Sequence, residues 1–434
     1  MLDPTVDDVA LHTRPGWAER EPATEAARPL DGVRVLDLTD ASLQYCGKLF
    51  AQLGADVLLI EPPTGCATRR EGPFLADTPH VEHSLSFAYL NQGKEGMCVD
   101  LHAADGRAIL HRLAANADLL IHSARPDELE QLGLDFATLS AINPALVVTG
   151  ITGFGLSGPY SAYRHSDLVA MALGGLLYLG GYPETEPVGA PGAQAYLAAA
   201  QFAAVASLSA VLYAESADGG GQLIDVSVQE CVSMALENAV QYVDLEGTVR
   251  KRNGGQQRQA GTGVFPCSDG LVYLMAGGIA SNRFWDATTQ WLVDGGAPGA
   301  ERLRAPEWND PVYLASEPAK QIFQSIFVPF AATRTKAQLY EDAQHRRIPL
   351  CPVSTTSDLL ENRQLQHRHY FQSIEHTYSG NTLMVPGAPF RFSATPWQSG
   401  RAAPRLGEHT AKVLGALGYD LSSQTALLRA GVTG

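Results

Sequence analysis

Asp167 is the residue of this chain best set up to do chemistry. It lies in Tyr163-Arg164-His165-Ser166-Asp167-Leu168-Val169-Ala170, eight residues beyond the turn Gly153-Phe154-Gly155-Leu156-Ser157-Gly158-Pro159. A small apolar run, Ala172-Leu173-Gly174-Gly175-Leu176, follows it. A lone carboxylate between an aromatic-basic stretch and an apolar one is partly desolvated. Such a group is either a structural ion, paired here with Arg164 or His165, or a nucleophile.

The turn before it matches G-x-G-x-x-G and follows an expected strand. A dinucleotide site would open a helix at that turn and place an acid about 20 residues on, at the end of the next strand. Here Pro159-Tyr160-Ser161 follows at once with no helical pattern, and the acid is missing. The glycines are therefore read as shaping a turn beside a site, not as holding NAD.

The elements that must carry these residues alternate. Val33–Leu38 reads as a buried strand, 47–53 as a helix ending at Gly54, and 55–61 as a strand closed by Pro62-Pro63. Strands follow at 96–101, 117–122, 145–149 and 222–227, with an amphipathic helix over 105–115 and a long alanine-rich helix over 194–213. Strand-helix-strand repeats at this spacing predict a parallel, doubly wound α/β domain. From about residue 245 the pattern shifts to glycines, short strands such as 271–275, and helices holding Trp285, Trp291 and Trp308, which predicts a second, α+β domain. Residues 1–27 lack periodicity and read as a flexible extension.

Composition narrows the function. The 434 residues are 45% hydrophobic and 18% charged, which fits a folded protein of two or three domains. The net charge of −15, with no basic run, argues against nucleic acid as a partner. Six cysteines without a C-x-x-C pair suit reduced thiols in the cytoplasm better than a disulfide framework or a zinc site. The first residues carry no apolar leader, and the most apolar stretch, 198–213, is too short to read as a membrane span.

Taken in order, a series of short motifs resembles the family III CoA-transferases, the formyl-CoA transferase and carnitine-CoA transferase group. They are Pro29–Asp37, Leu53–Val57 with Glu61-Pro62-Pro63, Arg69 with Gly72-Pro73-Phe74, Asn91 with Lys94 and Asp100-Leu101, and Arg125-Pro126 with Leu132-Gly133-Leu134. The Gly153–Pro159 turn with Asp167, then Gly221-Gln222, Asp269-Gly270, Ile348-Pro349 and Leu406–Thr410, complete it. The resemblance implies a Rossmann-like large domain built from both chain ends (28–225 and 385–434), a small domain (245–360), and linkers at 226–244 and 361–384. It implies two interlocked chains, a homodimer or a heterodimer, acting on an acyl-CoA and a small carboxylic acid with no metal or resident cofactor.

By the same resemblance Asp167 is the nucleophile, attacking an acyl-CoA and carrying CoA as an aspartyl thioester. The chemistry suits a carboxylate: the anhydride it forms is about as activated as a thioester, whereas serine would give an ester too stable to hand CoA on. Arg69, Lys94 and Arg125, after expected strands, would meet CoA phosphates, with Gln44 and Asn91 beside them. Gly254 and Gly255 would form a covering loop with oxyanion donors. The chain departs from the family at Leu43-Gln44, at Leu59 and at Glu95. The last two stand where cations are common, so Glu95 is expected to repel CoA phosphate, and a catalytically degenerate partner subunit is an alternative. A 2-methylacyl-CoA racemase is the other alternative. It would need a histidine directly before the aspartate and a second acid downstream, whereas Ser166 precedes Asp167 and Ala195–Ala199 holds no acid.

Overall fold

The computed structural model describes residues 28–277, 283–376 and 378–434; the extension expected over 1–27 lies outside them. Six short strands form one sheet: β1 Arg34–Leu38, β2 Asp56–Glu61, β3 Glu95–Cys98, β4 Leu119–His122, β5 Val147–Thr152 and β6 Leu223–Ser227. Their order is β3-β2-β1-β4-β5-β6, and every pairing is parallel. Leu36, Leu58, Leu120 and Val148 have no exposed surface. A parallel sheet is covered on both faces, so its strands read as apolar runs rather than as alternation. This is a Rossmann-like α/β domain, whose chain reversal between β1 and β4 opens a crevice at the carboxyl ends of the strands.

Among the helices that accompany these strands are α1 Tyr45–Gln52, α2 Leu85–Leu90, α3 Ala104–Ala114, α4 Phe136–Ile142, α5 Asp167–Leu173, α6 Gln194–Ala214 and, after β6, α7 Val228–Ser233. In α3, Ile109, Leu110 and Leu113 recur at helical spacing and are buried. The alanine-rich helix α6 is longer than the apolar stretch 198–213, and by length and composition alone it would suffice to cross a membrane. Here its small residues Ala199, Ala200, Ala203 and Ser207 are buried. They let it lie close to β5, where the Ser207 and Thr149 hydroxyls meet at 2.7 Å. One face of it packs on the sheet of this domain, and the other is exposed.

The larger of two compact units comprises 28–176, 190–238 and 370–434 among the described residues. The two helices at the end of the chain belong to it. Numbered after three longer helices of the smaller unit, α8 Arg283–Asp294, α9 Glu317–Ala332 and α10 Lys336–His345, they are α11 Thr410–Ala416 and α12 Leu421–Arg429. Val413, Leu414 and Leu427 share one core with Leu36, Met97 and Ile109. The smaller unit comprises 177–189 and 239–369. It holds an antiparallel sheet, β7 Thr262–Cys267, β8 Gly270–Met275 and β9 Leu350–Val353. Its core is aromatic, with Trp285 stacked on Trp308 at 5.0 Å between ring centroids and Phe323 on Phe327 at 5.7 Å.

These units differ from the boundaries read in the sequence. Residues 177–189 go with the smaller unit, because Arg252 donates to the carbonyls of Tyr182 and Thr185 at 2.8 and 2.7 Å. Residues 226–238 carry α7, and 370–384 carry the hairpin of β10 Phe371–Glu375 with β11 Thr382–Pro386. Both stretches are structured parts of the larger unit rather than linkers.

Candidate active site

The loops at the carboxyl ends of the strands bring the chemistry together. Beyond β1, Asp40 caps the short turn Ala41–Gln44, accepting from Ala41 N–H at 2.7 Å. Its carboxylate also accepts from Thr68 Oγ1 at 3.0 Å, tying the loop after β1 to the loop after β2. Beyond β5 the glycine turn runs irregularly to Ser166, with no helix at Gly158. It is braced from β6, where both Asp225 carboxylate oxygens accept from Leu156 N–H at 2.9 and 3.0 Å. Gly153 is needed for contact: an added Cβ would stand 2.4 Å from Cγ of His165. Gly155 and Gly158 take φ of +87° and +98°, where glycine is favoured.

The turn delivers Asp167 to the first position of α5, with Ser166 as the capping residue. Asp167 is half-buried, and burial raises its pKa. Backbone N–H groups of Tyr196 and Ala195 oppose that shift, and Tyr196 N–H donates to Oδ1 at 3.0 Å. Among the described residues no salt bridge reaches Asp167, so the pairing with Arg164 or His165 is not what holds it. The grip comes from the first turn of α6, where Ala193 offers no capping side chain and Asp167 takes its place. His165 turns instead to Tyr196, whose hydroxyl lies 3.1 Å from Nδ1. Burial lowers the His165 pKa, and burial followed by the Asp167 charge pushes the Tyr196 phenol up to about 12. At neutral pH both are uncharged.

The structure places the expected cofactor-binding residues differently. Arg69 is fully buried: Nε and Nη2 hold both oxygens of Glu61 at 2.7 and 2.8 Å, Nη1 reaches Glu82 at 3.1 Å, and Nη2 also meets the Pro404 carbonyl. Lys94 is equally enclosed, its ammonium on Asp37 at 2.7 Å, the Gln44 carbonyl at 2.8 Å and Asn91 Oδ1 at 2.8 Å. Three donors meet three acceptors, which leaves none for a phosphate. Gln44 and Asn91 complete this buried network, with Asn91 Nδ2 donating to Gln44 Oε1 at 2.9 Å. As folded, these four residues brace β1, β2 and α1 rather than face a ligand. Arg125, by contrast, stands half-exposed after β4, loosely paired with Asp127 and Glu128.

The two departures also change meaning. Leu59 lies fully buried in β2, where a cation would have no water. Glu95 begins β3, at the end of the sheet opposite Asp167, in a cleft of about 520 Å³ with Arg28 and Arg401. Burial raises its pKa, but the hydrogen bond and charge of Lys412 outweigh this and bring it below the ordinary value. Lys412 stands at 2.9 Å and Arg401 at 3.4 Å. Glu95 is therefore neutralised by its neighbours instead of opposing a ligand.

Gly254 and Gly255 belong to the smaller unit. Both have positive φ, +57° and +78°. A Cβ on Gly254 would meet Tyr182 Cδ1 at 2.2 Å, and the Gly255 carbonyl accepts from Val264 N–H. Among the described residues no group of three histidine, cysteine or acidic side chains is placed to hold a metal.

Residues 30–410 match the family described as CoA-transferase family III. The chain belongs to this family. It is 41% identical to the succinyl-CoA:(R)-benzylsuccinate CoA-transferase subunit BbsE of Thauera aromatica, over 92% of this chain and 96% of that one. It is 30% identical to the succinyl-CoA–L-malate CoA-transferase alpha subunit of Chloroflexus aurantiacus, over 91% and 90%. A CAIB/BAIF family protein from Brucella suis has the same fold, with a TM-score of 0.77 at 26% identity, over 90% of this chain and 99% of that one. This family III chain is an enzyme of the CoA-transferase class, and CoA thioesters are its substrates. The resemblance carried by the ordered motifs is confirmed.

Two contributors to the site were not legible as such in the sequence. They are Asp40, which ties the loops after β1 and β2, and Tyr196, which holds Asp167 through its N–H. One signal was present: Gly192-Ala193 opens a long helix with no capping side chain, so its first N–H groups need an acceptor from elsewhere.

Proposed function

We propose that this chain moves CoA from succinyl-CoA to a second carboxylic acid, with Asp167 as the covalent carrier. One observation carries the reading: a half-buried carboxylate beyond the carboxyl end of β5, held by backbone N–H groups and not by a cation. A carboxylate neutralised by an ion pair is a poor nucleophile; one held only by amide donors keeps its charge available.

The steps balance without a net proton. An Asp167 oxygen attacks the thioester carbon, the C–S bond breaks, and CoA thiolate leaves a mixed anhydride. The thiolate attacks Cγ of Asp167, the donor carboxylate departs, and an aspartyl-CoA thioester remains. The acceptor carboxylate then runs both steps in reverse, which regenerates Asp167. Water must be excluded from both intermediates. Gly254 and Gly255 are proposed as the loop that does so, and Arg125 as a cation for the CoA phosphates. The names of both relatives supply the donor, and the 41% identical one suggests a substituted dicarboxylate as acceptor. We place the enzyme in the cytoplasm, in keeping with six cysteines that are all unpaired thiols.

Incubation with succinyl-CoA followed by hydroxylamine should leave a hydroxamate on Asp167, detected by peptide mass spectrometry. Asp167→Ala should lose transfer by at least about 10⁴-fold, the order found when a covalent nucleophile is removed, with an unchanged fold. Substantial activity in that variant sinks the proposal.

A second reading concerns assembly. Both relatives are named as subunits, and two of the expected phosphate-binding cations, Arg69 and Lys94, are consumed inside the fold. We propose that the chain works with a second family III chain, interlocked with it. Transfer by the purified chain alone, as a homodimer, would argue against a second kind of subunit. The racemase reading gains no support, because the segment facing Asp167 supplies backbone amides and the Tyr196 ring but no second acid.

A further inference from the structure

Tyr196 touches Asp167 in one way and His165 in another. Its N–H holds Asp167 Oδ1 at 3.0 Å, and its hydroxyl lies 3.1 Å from His165 Nδ1, with the two rings edge to face at 5.6 Å between centroids. His165 is itself wedged: Phe154 packs on its ring at 6.4 Å, and Gly153 leaves just the room it needs. The Gly153 carbonyl accepts from Gln229 N–H at 3.0 Å, so the wedge is anchored to α7. A side-chain bond thus joins the loop bearing the carboxylate to the helix turn bearing its donor, two residues before Asp167 and 29 after it.

Resting on Asp167 as the carrier, we propose that Tyr196 and His165 form a positioning pair that locks the first turn of α6 onto Asp167, so that Tyr196 N–H is the donor to the oxyanion formed there during transfer. Two of the four steps attack Cγ of Asp167: thiolate on the anhydride, then acceptor carboxylate on the aspartyl thioester. In each, the carbonyl oxygen of Asp167 takes the negative charge until the leaving group departs. A donor already fixed on that oxygen stabilises this charge with no rearrangement, which is where such donors contribute most. Its value depends on position, since a displacement of about 1 Å lowers rates by up to about 10²-fold. The pair acts through placement; neither side chain touches the reacting atoms.

The test uses CoA exchange between succinyl-CoA and labelled succinate, which needs no knowledge of the acceptor. Tyr196→Phe keeps the ring and the N–H but breaks the link. It should lower kcat roughly tenfold while leaving KM for succinyl-CoA unchanged, because misplacement acts on the transition state and not on binding. His165→Ala should match it, and the double variant should be no slower than either single one, as for residues acting as a unit. His165→Asn, which keeps a polar group at the Nδ1 position, should recover most of the loss. Full kcat in Tyr196→Phe, or losses that multiply in the double variant, overturns the pair. Failure of the carrier reading looks different: Asp167→Ala stays active, or native protein yields no Asp167 hydroxamate with succinyl-CoA or other acyl-CoAs.

Discussion

His122 ends β4 with no exposed surface to speak of, and neither ring nitrogen meets a partner at hydrogen-bonding geometry. Burial pulls its pKa down to about 4, and the nearby Ala124 carbonyl opposes this only in part. The unfolded chain binds a proton near pH 6.5 that the folded chain refuses until about pH 4. The stability this neutral imidazole allows is complete above the unfolded value and drains away as pH falls through that window. The loss amounts to about 3 kcal/mol by linkage. Urea denaturation of native protein and His122→Leu at pH 7 and pH 4.5 checks it. The native chain should lose more stability than the variant between the two; an equal loss would show that the histidine is charged, or exposed, in the fold. Asp167 contrasts with it at the same scale. Both groups are desolvated, but Asp167 has amide donors that hold its charged form, so one is kept silent and the other kept ready.

At the scale of elements, α1 can lie against β1 because Gly47 has no side chain. A Cβ there would stand 2.0 Å from Oδ2 of Asp37, the partner of Lys94. The Asp37–Lys94 pair has no exposure at either side chain and joins β1 to the residue preceding β3. Removing one member of a buried pair leaves the other charge uncompensated and costs about 3–5 kcal/mol. Lys94→Met should lose that much in a denaturant titration. Adding Asp37→Leu should restore a good part of it, since an apolar replacement of a buried pair is often neutral. If Lys94 instead served a CoA phosphate, Lys94→Met would raise KM for acyl-CoA with little effect on stability, which would reverse the assignment made here. The motif containing Lys94 was legible in the sequence; its direction was not. A cation after a strand faces ligand or core depending on which carboxylate the fold brings to it, and Asp37 is 57 residues away.

At the scale of the whole molecule, one face of α6 is apolar and uncovered among the described residues. On α6, Phe202, Val205, Leu212 and Tyr213 are 42%, 67%, 61% and 54% exposed, while the alanines of the other side are buried. A helix apolar all round is one that is covered all round, and contiguous exposed apolar patches mark contact surfaces. We expect a second chain on this face. A second chain held there should be lost in Val205→Glu combined with Leu212→Glu, read as a fall in mass by light scattering at micromolar concentration. An unchanged mass would place the partner elsewhere.

The sequence by itself determined the parallel sheet, because each buried strand is a short apolar run between turn signals and such runs are specified locally. It determined the family too, because ordered motifs spread over nearly the whole chain constrain one another. It singled out Asp167 from the apolar small-residue stretch beyond it. Tertiary structure decided everything that depends on which groups the fold brings to each charge. It turned Arg69 inward onto Glu61 and Glu82, put Glu95 beside Lys412, 317 residues on, and gave Asp167 a helix turn instead of a cation. A charged residue carries its type in the sequence. The environment that makes it a strut, a silent ion or a nucleophile comes only from the elements packed around it.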